Sequence, residues 1–497
     1  MLVVVLLAGC VSVTVAPTPV APVDAGVPAR PPEPPGTPDA EFRNARPAPL
    51  ATKSAYEAPV PVERTLKNGA RLLVVESHSV PLVSIEVLIA IGADGDPAGK
   101  RGLAGFTADM LREGSVTHPS QQLAGELEDL AARLTSSSGL ETSSVRLNCL
   151  KDTLPQALDL LTEVLVNPAF APADLERVRA LLLTDLVQKK GSPVALAADE
   201  AARLSWGDKH PWGQPEGGTP ESVKAITRDD LVRFHQAWYR PGNAIVSVAG
   251  DVTPDEIEGL LKARWSGWTG KAAARPKLPA VPAPSERTIT LIDKPGATQS
   301  QVWVVGRGVP ANHPDRVALG LANAILGGSF GSRINMNLRE ARGYSYGARM
   351  SLSSLKEHGL WIASSGIKAN VTAEAVTEFE KELVTFESGA LREGELARAK
   401  EQALRALPGS LETVDAVAGR MAMLAFHGLP LDEERRLPAK IAAVDEAEVA
   451  RVVKTWLHAA QFPVVVVGPA TNQAALEGLG LGTVKVVSAP APAPASR

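Results

Sequence analysis

Two stretches of this 497-residue chain repeat each other at one constant spacing. KAITRDDLVRFHQAWYRPGNAIVSVAG (residues 224–250) aligns with AAVDEAEVARVVKTWLHAAQFPVVVVG (residues 442–468). The alignment matches Thr227 with Asp445, Asp230 with Glu448, Trp238 with Trp456 and Gly250 with Gly468. In each copy a cap-forming residue stands three positions before an acidic one, the signature of a capping box that opens an amphipathic helix. Each helix leads into a β-branched strand, AIVSVAG or PVVVVG. Cap, tryptophan and strand-end glycine recurring together make the core a tandem duplication, so the chain must fold as two similar halves.

The seam between them is KAAARPKLPAVPAPS (residues 271–285), which has linker composition. In the first half, Asn68-Gly69 between TLK and ARLLVVE predicts a hairpin turn. A strand is expected at about residues 82–91. The spacing of Leu123, Leu127, Leu130, Ala131 and Leu134 predicts a helix over 121–134. Residues 144–149 alternate as a strand, and helices are expected over 155–166 and 173–190. The second half repeats the scheme from Arg287. Interleaved strands and helices with hairpins give an α+β class, with helices packed on largely antiparallel sheets.

The chain starts MLVVVLLAGCVS, and Leu7-Ala8-Gly9-Cys10 resembles a bacterial lipobox, in which a lipid is attached to the cysteine. A short apolar run ending in small residues is a processing segment and not a fold element. The alternative is a plain cleavable signal with an incidental cysteine, and the usual Lys/Arg n-region is missing. Both readings place the chain in the cell envelope, and Val11 after Cys10 favours the outer membrane, facing the periplasm. Pro and Ala then dominate to about Leu50, a composition that gives an extended spacer without a core. The expected organisation is a signal segment at 1–15, a spacer at 16–57, the first half at 58–270 and a linker at 271–286. The second half follows at 287–488 and a tail at 489–497. With 51 Lys and Arg against 55 Asp and Glu, the net charge of -4 argues against nucleic-acid binding. No internal run reaches the roughly 18 apolar residues that span a bilayer. Two cysteines make no disulfide framework.

The phrases LKNGARLLVVE, RGLAGFTADMLREGS and LLTEVLVNPAFAPADLERVRALLL resemble the insulinase/pitrilysin family of zinc metallopeptidases. So do HPWGQPEGGTPESVKAITRDDLVRFHQAWYRPGNAIVSVAGDV and, in the second half, LIDKPGATQSQ and INMNLREARGYSYG. The match runs in order over residues 64–468. It implies two αβ-roll halves enclosing a chamber. Catalysis in that family rests on the inverted motif H-x-x-E-H. Two His one helical turn apart hold zinc, the Glu is the general base, and a later carboxylate completes the site. Here the motif positions hold Gly105, Ala108 and Asp109, and the late carboxylate falls on Asp185 to within one residue. Glycine has no ligand atom, alanine no proton acceptor, and carboxylates without imidazole suit zinc poorly. Loss of a general base alone costs about 10²–10⁴ in rate. The expectation is a degenerate site with no metal. An enzyme whose metal site is rebuilt around Asp109 and Asp185 is the less favoured alternative.

A second family feature survives. An Arg and a Tyr seven residues later, Arg339 and Tyr346 in LREARGYSY, match the pair that faces the zinc site across the chamber. A guanidinium gives fixed hydrogen bonds to a peptide carbonyl or carboxylate, and a phenol adds a donor where an oxyanion develops. The simpler reading is a surface Arg and a core Tyr. Arg342 and Tyr344 are expected to serve structure. Some members of the family are two-chain assemblies in which one chain carries zinc and the other keeps only the Arg/Tyr pair. The resemblance thus implies a non-catalytic, pseudo-peptidase subunit that binds peptide and lends Arg339 and Tyr346 to a zinc-bearing partner of the same fold. A non-enzymatic peptide-binding or scaffolding lipoprotein is the alternative. Gly327 and Gly328 lie in the family's loop before the Arg/Tyr helix and are expected to touch substrate, unless they only form a flexible turn.

Other signals fail on inspection. Asp94-Gly95-Asp96 starts like a calcium loop, but the twelfth position is Gly105 and not Glu. Residues 327–332 lack the Gly-Lys-Ser/Thr of a phosphate loop. Ser353-Ser354-Leu355-Lys356 matches a chance-level S-x-x-K. The eight His show no helical i,i+4 pair, and His210-Pro211-Trp212-Gly213 reads as architectural. Cys149 reads as a buried small hydrophobe. Trp265 and Trp268, near the seam, are expected to pack the halves together.

Overall fold

The hydrophobic runs pair into two six-stranded sheets in a computed structural model that describes residues 57–282 and 286–490. The first half supplies β1 (Val62–Thr65), β2 (Arg71–Glu76), β3 (Leu82–Ile89), β4 (Arg133–Ser138), β5 (Ser143–Leu150) and β6 (Ala244–Gly250). Their order is β1-β2-β6-β3-β5-β4. The second half supplies β7 (Thr288–Asp293), β8 (Gln299–Gly308), β9 (Ser345–Ser354), β10 (Gly359–Lys368), β11 (Val464–Gly468) and β12 (Thr483–Ser488). Their order is β12-β7-β11-β8-β10-β9. In both sheets the second and third strands are parallel, and the fourth is antiparallel to each neighbour. Gly69, at φ 95°, makes the expected turn of the β1–β2 hairpin. The equivalent edge of the second sheet is filled differently, by β12 running parallel to β7.

The helices used below are α1 (Leu103–Leu111), α2 (Ser120–Asp129), α3 (Leu154–Val166), α4 (Pro172–Gly191), α5 (Pro193–Trp206) and α6 (Arg228–Trp238). The second half adds α7 (Arg316–Asn323), α8 (Thr372–Glu387), α9 (Val414–His427) and α10 (Glu446–Trp456). Thr227 opens α6 with a reciprocal capping box to Asp230, while Asp445 opens α10 by accepting from Glu448 N alone. One face of each sheet packs on its own helices. Ile85, Val145 and Leu147 share a buried cluster with Phe106, Leu158 and Leu161, as Leu291, Val302 and Trp361 do with Leu319, Phe379 and Val452.

The central strands are buried on both faces, with all four valines of β11 enclosed, so a second layer is required. Each half obtains it from the other. Helix α9 crosses β3 and β6, setting Ala418, Met421 and Leu424 against Leu73, Val75 and Ala249. Helix α5 crosses β8 and β11, setting Ala197 and Ala201 against Val305, Val465 and Val467. This exchange joins the halves in one compact unit. Where the turns at 139–142 and 355–358 meet, Lys356 N donates to Glu141 Oε2 at 2.9 Å. His358 there enters an aromatic cluster with Trp206 and Trp212, and His210 stacks on Trp206 and lies at a tilt to Trp212.

Three expectations change. Helix α2 stops at Asp129, because Ala131 takes a left-handed φ of 48° and Arg133 already begins β4. Leu134 is buried as a strand residue. Trp265 and Trp268 pack on each other at 5.0 Å inside the first half, not between the halves. Their indoles are tied there, donating to Thr162 Oγ1 at 3.0 Å and to Tyr239 O at 2.8 Å. The seam is also more than a spacer. Ala273 N donates to Asn243 Oδ1, and Arg275 donates to Ala90 O, pairs with Asp94 and lies over the Phe426 ring of α9. Cys10, the spacer up to residue 56 and the tail from residue 491 fall outside the described residues.

Candidate functional site

Helix α1 carries the three degenerate motif positions. The Asp96 carboxylate accepts from Gly102 N and Ala104 N, both at 2.8 Å, and so caps its first turn. The two aspartates that imitate a calcium loop are thus engaged elsewhere, Asp96 in this cap and Asp94 with Arg275. Gly105 and Asp109, one turn apart, share the partly exposed face of α1. A Cβ placed on Gly105 would meet nothing within 4 Å, so a side chain can start there without a clash. Ala108 is buried, and its carbonyl accepts from Ser136 Oγ at 2.5 Å.

Asp109 lies 3.2 Å from Arg112. Burial raises its carboxyl above the usual range and Arg112 opposes that, while Glu113 and Asp185 add to the rise. Asp185, exposed on α4, is therefore near enough for its charge to be felt at Asp109. The two carboxylates do not make a zinc site. Neither carries an imidazole, and among the described residues no group of three or more His, Cys, Asp or Glu could hold a metal ion. The residues present do not fit the family's zinc.

The second half builds its part of the site with more support. Helix α7 runs into a π-helical stretch, Ala324–Gly328. Gly327 there is buried, and a Cβ would come within 2.3 Å of Met350 Cβ on β9. Close packing, not contact with substrate, explains this glycine. Gly328 is exposed, though a Cβ would lie 2.6 Å from Asn323 Nδ2. A short helix, Arg333–Asn335, then continues as a π turn, Met336–Ala341, that presents Arg339. Arg333 anchors it through a buried pair with Glu395. Asn335, 4% exposed, donates from Nδ2 to Phe330 O at 2.6 Å and accepts from Ala348 N at 3.1 Å. The Arg339 guanidinium lies 4.6 Å from the centroid of the Phe330 ring and 3.4 Å from Glu340.

Tyr346 owes its position to a β-bulge. Ala348 faces Ser365 and Ser345 faces Ile367, so Tyr346 and Gly347 together oppose Gly366 alone. Ser365 Oγ donates to Gly347 O at 2.9 Å and fixes the irregularity. The extra residue turns Tyr346 out of the alternating core pattern, leaving it 89% exposed. A core tyrosine is excluded. Arg342 pairs with Glu378 at 2.7 Å and Tyr344 packs on the second core, as structural residues do. Among the described residues, the ring and ion-pair contacts of the Arg339 side chain are with Phe330 and Glu340, both in the second half. The sequence reading missed Asn335, Phe330 and the bulge. Only Gly347 and Gly366, facing each other across paired strands, could have hinted at the last.

The chain matches known proteins over these same elements. Residues 71–199 match the family model described as Insulinase (Peptidase family M16), and residues 225–403 match Peptidase M16 inactive domain. An uncharacterized zinc protease, YmxG of Bacillus subtilis, is 23% identical over 82% of this chain and 98% of its own length. The mitochondrial-processing peptidase subunit beta of Rattus norvegicus is 24% identical over 81% of this chain and 83% of its own. A crystal structure of a peptidase M16 inactive domain from Pseudomonas fluorescens superposes with a TM-score of 0.77 at 25% identity. It covers 82% of this chain and 98% of that one.

Proposed function

Since this chain belongs to the insulinase (M16) peptidase family, and is a member without the family's zinc ligands and general base, we propose that it is the non-catalytic subunit of a two-chain peptidase. It binds an extended peptide and lends Arg339 and Tyr346 to a zinc-bearing partner of the same fold. One observation carries this reading. The segments that carry Arg339 and Tyr346 are supported by Asn335, Ser365 and a bulge, while the motif positions of α1 carry no imidazole. A pure scaffold has no chemical need of an exposed phenol on a bulge. A related protein being a processing-peptidase subunit supports an assembly of this kind. The lipobox-like start supports a place in the cell envelope, with the chain anchored through Cys10 to the outer membrane and facing the periplasm.

The chemistry assigned to this chain is confined to its own groups. Arg339 donates to a peptide carbonyl or carboxylate, and the Tyr346 hydroxyl donates to oxygen where negative charge develops. The test mixes the chain with a same-genome relative that carries an intact H-x-x-E-H and follows hydrolysis of a quenched fluorogenic peptide. The chain alone gives no turnover and the pair does. Arg339→Ala leaves the pair assembled and lowers turnover by about 10²–10³. Unchanged turnover in that assembled variant, or failure to assemble at all, sinks the shared site.

A further inference from the structure

We propose that Phe330 is the specificity residue of the Arg339–Tyr346 face: its exposed ring receives an aromatic or long aliphatic side chain of an extended peptide, with an acidic residue of the same peptide set against Arg339 or Arg349. This rests on the reading that the face binds peptide, and adds which peptides it selects.

Single exposed apolar residues are ordinary and need no explanation. Here Phe330 is 66% exposed, Met336 43% and Tyr346 89%, all close in sequence to one guanidinium. Met336 and Arg339 belong to the same π turn. Arg339 occupies one side of the Phe330 ring at 4.6 Å, a cation–π contact that leaves the other side open. The ring is not left to wander. Its backbone carbonyl is held by the buried Asn335 amide, and Ser332 N donates to Ser329 O at 3.2 Å to close the turn around it. An aromatic group held in place before binding loses little freedom on contact, the usual condition for a strong binding residue.

The occupant follows from the surroundings. Strand β9 pairs with β10 alone, and Asn335 Oδ1 takes the Ala348 N–H on its outer side, so a peptide here is read by side chains and not by strand addition. The side chain of Arg349, exposed on β9 three residues from Tyr346, makes no hydrogen bond or ion pair among the described residues. The carboxylate paired with Arg339 is its own neighbour Glu340, at 3.4 Å and itself well exposed. Two cations with little local compensation beside an apolar platform favour a peptide that carries Asp or Glu next to a bulky apolar residue.

Fluorescence anisotropy on the full chain tests this with two labelled Gly/Ser peptides, one with a central Asp-Phe pair and one with Asp-Ala. The wild-type chain binds the Asp-Phe probe about tenfold more tightly. Phe330→Ala removes that preference, Phe330→Trp keeps it, and Arg339→Ala weakens both probes. If Phe330→Ala retains the preference while Arg339→Ala weakens both, the inference falls and the peptide-binding reading stands. If the wild-type chain binds neither probe, or Arg339→Ala changes neither, both fall. Phe330 is exposed, so its variants are expected to keep the wild-type melting temperature, which verifies that each comparison is between folded chains.

Discussion

The inner strands of the two halves follow the same order and directions, yet the first half carries no imidazole at its motif positions while the second carries Arg339 and an outward Tyr346. In the first, α1 is still capped by Asp96 and still holds two positions on one face, but Gly105 carries no ligand atom and Ala108 is turned into the core. In the second, a bulge bonded by Ser365 turns Tyr346 outward, and Asn335 ties the turn at Phe330 to Ala348 of β9. A scaffold thus survives removal of ligand atoms, because the packing that builds α1 comes from Leu103, Phe106 and Met110 and not from the motif. The exchanged helices differ too. Helix α9 meets sheet one through Asp415, which contacts Ser84, Arg146 and Asn148, with Glu86 buried against Arg146. Helix α5 meets sheet two through an apolar contact alone.

The strongest way to erase the difference between the halves is to return imidazoles to the first. Gly105→His with Asp109→His places two ligands one turn apart on the partly exposed face of α1, where a Cβ on Gly105 meets no neighbour and the Asp185 charge is felt at Asp109. The variant is expected to bind one zinc per chain in a calorimetric titration, without gaining hydrolysis, since Ala108 still offers no base. No added zinc affinity would mean that α1 and α4 no longer hold the family's geometry.

A smaller effect separates the two helix crossings. Ala201→Asp and Ala418→Asp each bury a new carboxylate, and an unpaired buried charge costs about 3–5 kcal/mol. Arg146 Nη2 would lie only 3.1 Å from a Cβ on Gly419, so a cation is at hand beside Ala418, whereas Ala201 packs among Val305, Val465 and Val467. Urea unfolding should therefore show the larger loss for Ala201→Asp. Equal losses would remove the electrostatic distinction drawn between the crossings.

The smallest effect lies at the junction of the halves. Burial, with His358 and Arg101 nearby, pushes His210 down to about 4, and burial with Arg420 and Lys356 does the same to His427. His358 is lowered by burial and by Arg307, against Glu357. Each folded imidazole is held neutral, whereas the unfolded chain titrates near the usual value of about 6.5. Their contribution to stability is thus complete above about pH 6.5 and is lost as the pH falls toward about 4. The melting temperature should drop between about pH 7 and about pH 4.5, and drop less in His210→Gln. An identical drop in that variant would place the acid sensitivity elsewhere.

Much of the architecture was legible in advance, because duplication, caps and β-branched runs are local signals that burial then rewards. The Asn68-Gly69 hairpin and the helices now seen as α3 and α4 are of this kind. Residues 121–134 misled because Leu130, Ala131 and Leu134 fit a helical face as well as they fit a turn and a strand. The left-handed turn at Ala131 is a tertiary decision with no glycine to announce it. Trp265 and Trp268 were placed by proximity to the seam, whereas their indole donors find acceptors inside the first half.

The sequence alone determined that the chain is doubled, that its class is α+β, and that Gly105, Ala108 and Asp109 cannot act as a zinc motif, since ligand chemistry is a property of residue type. Only the tertiary structure decided that each half covers the other's sheet, that Gly327 is a packing residue, and that Tyr346 faces outward. Those depend on which surfaces meet and on one extra residue in a strand, quantities set by long-range packing that no local pattern of residues records.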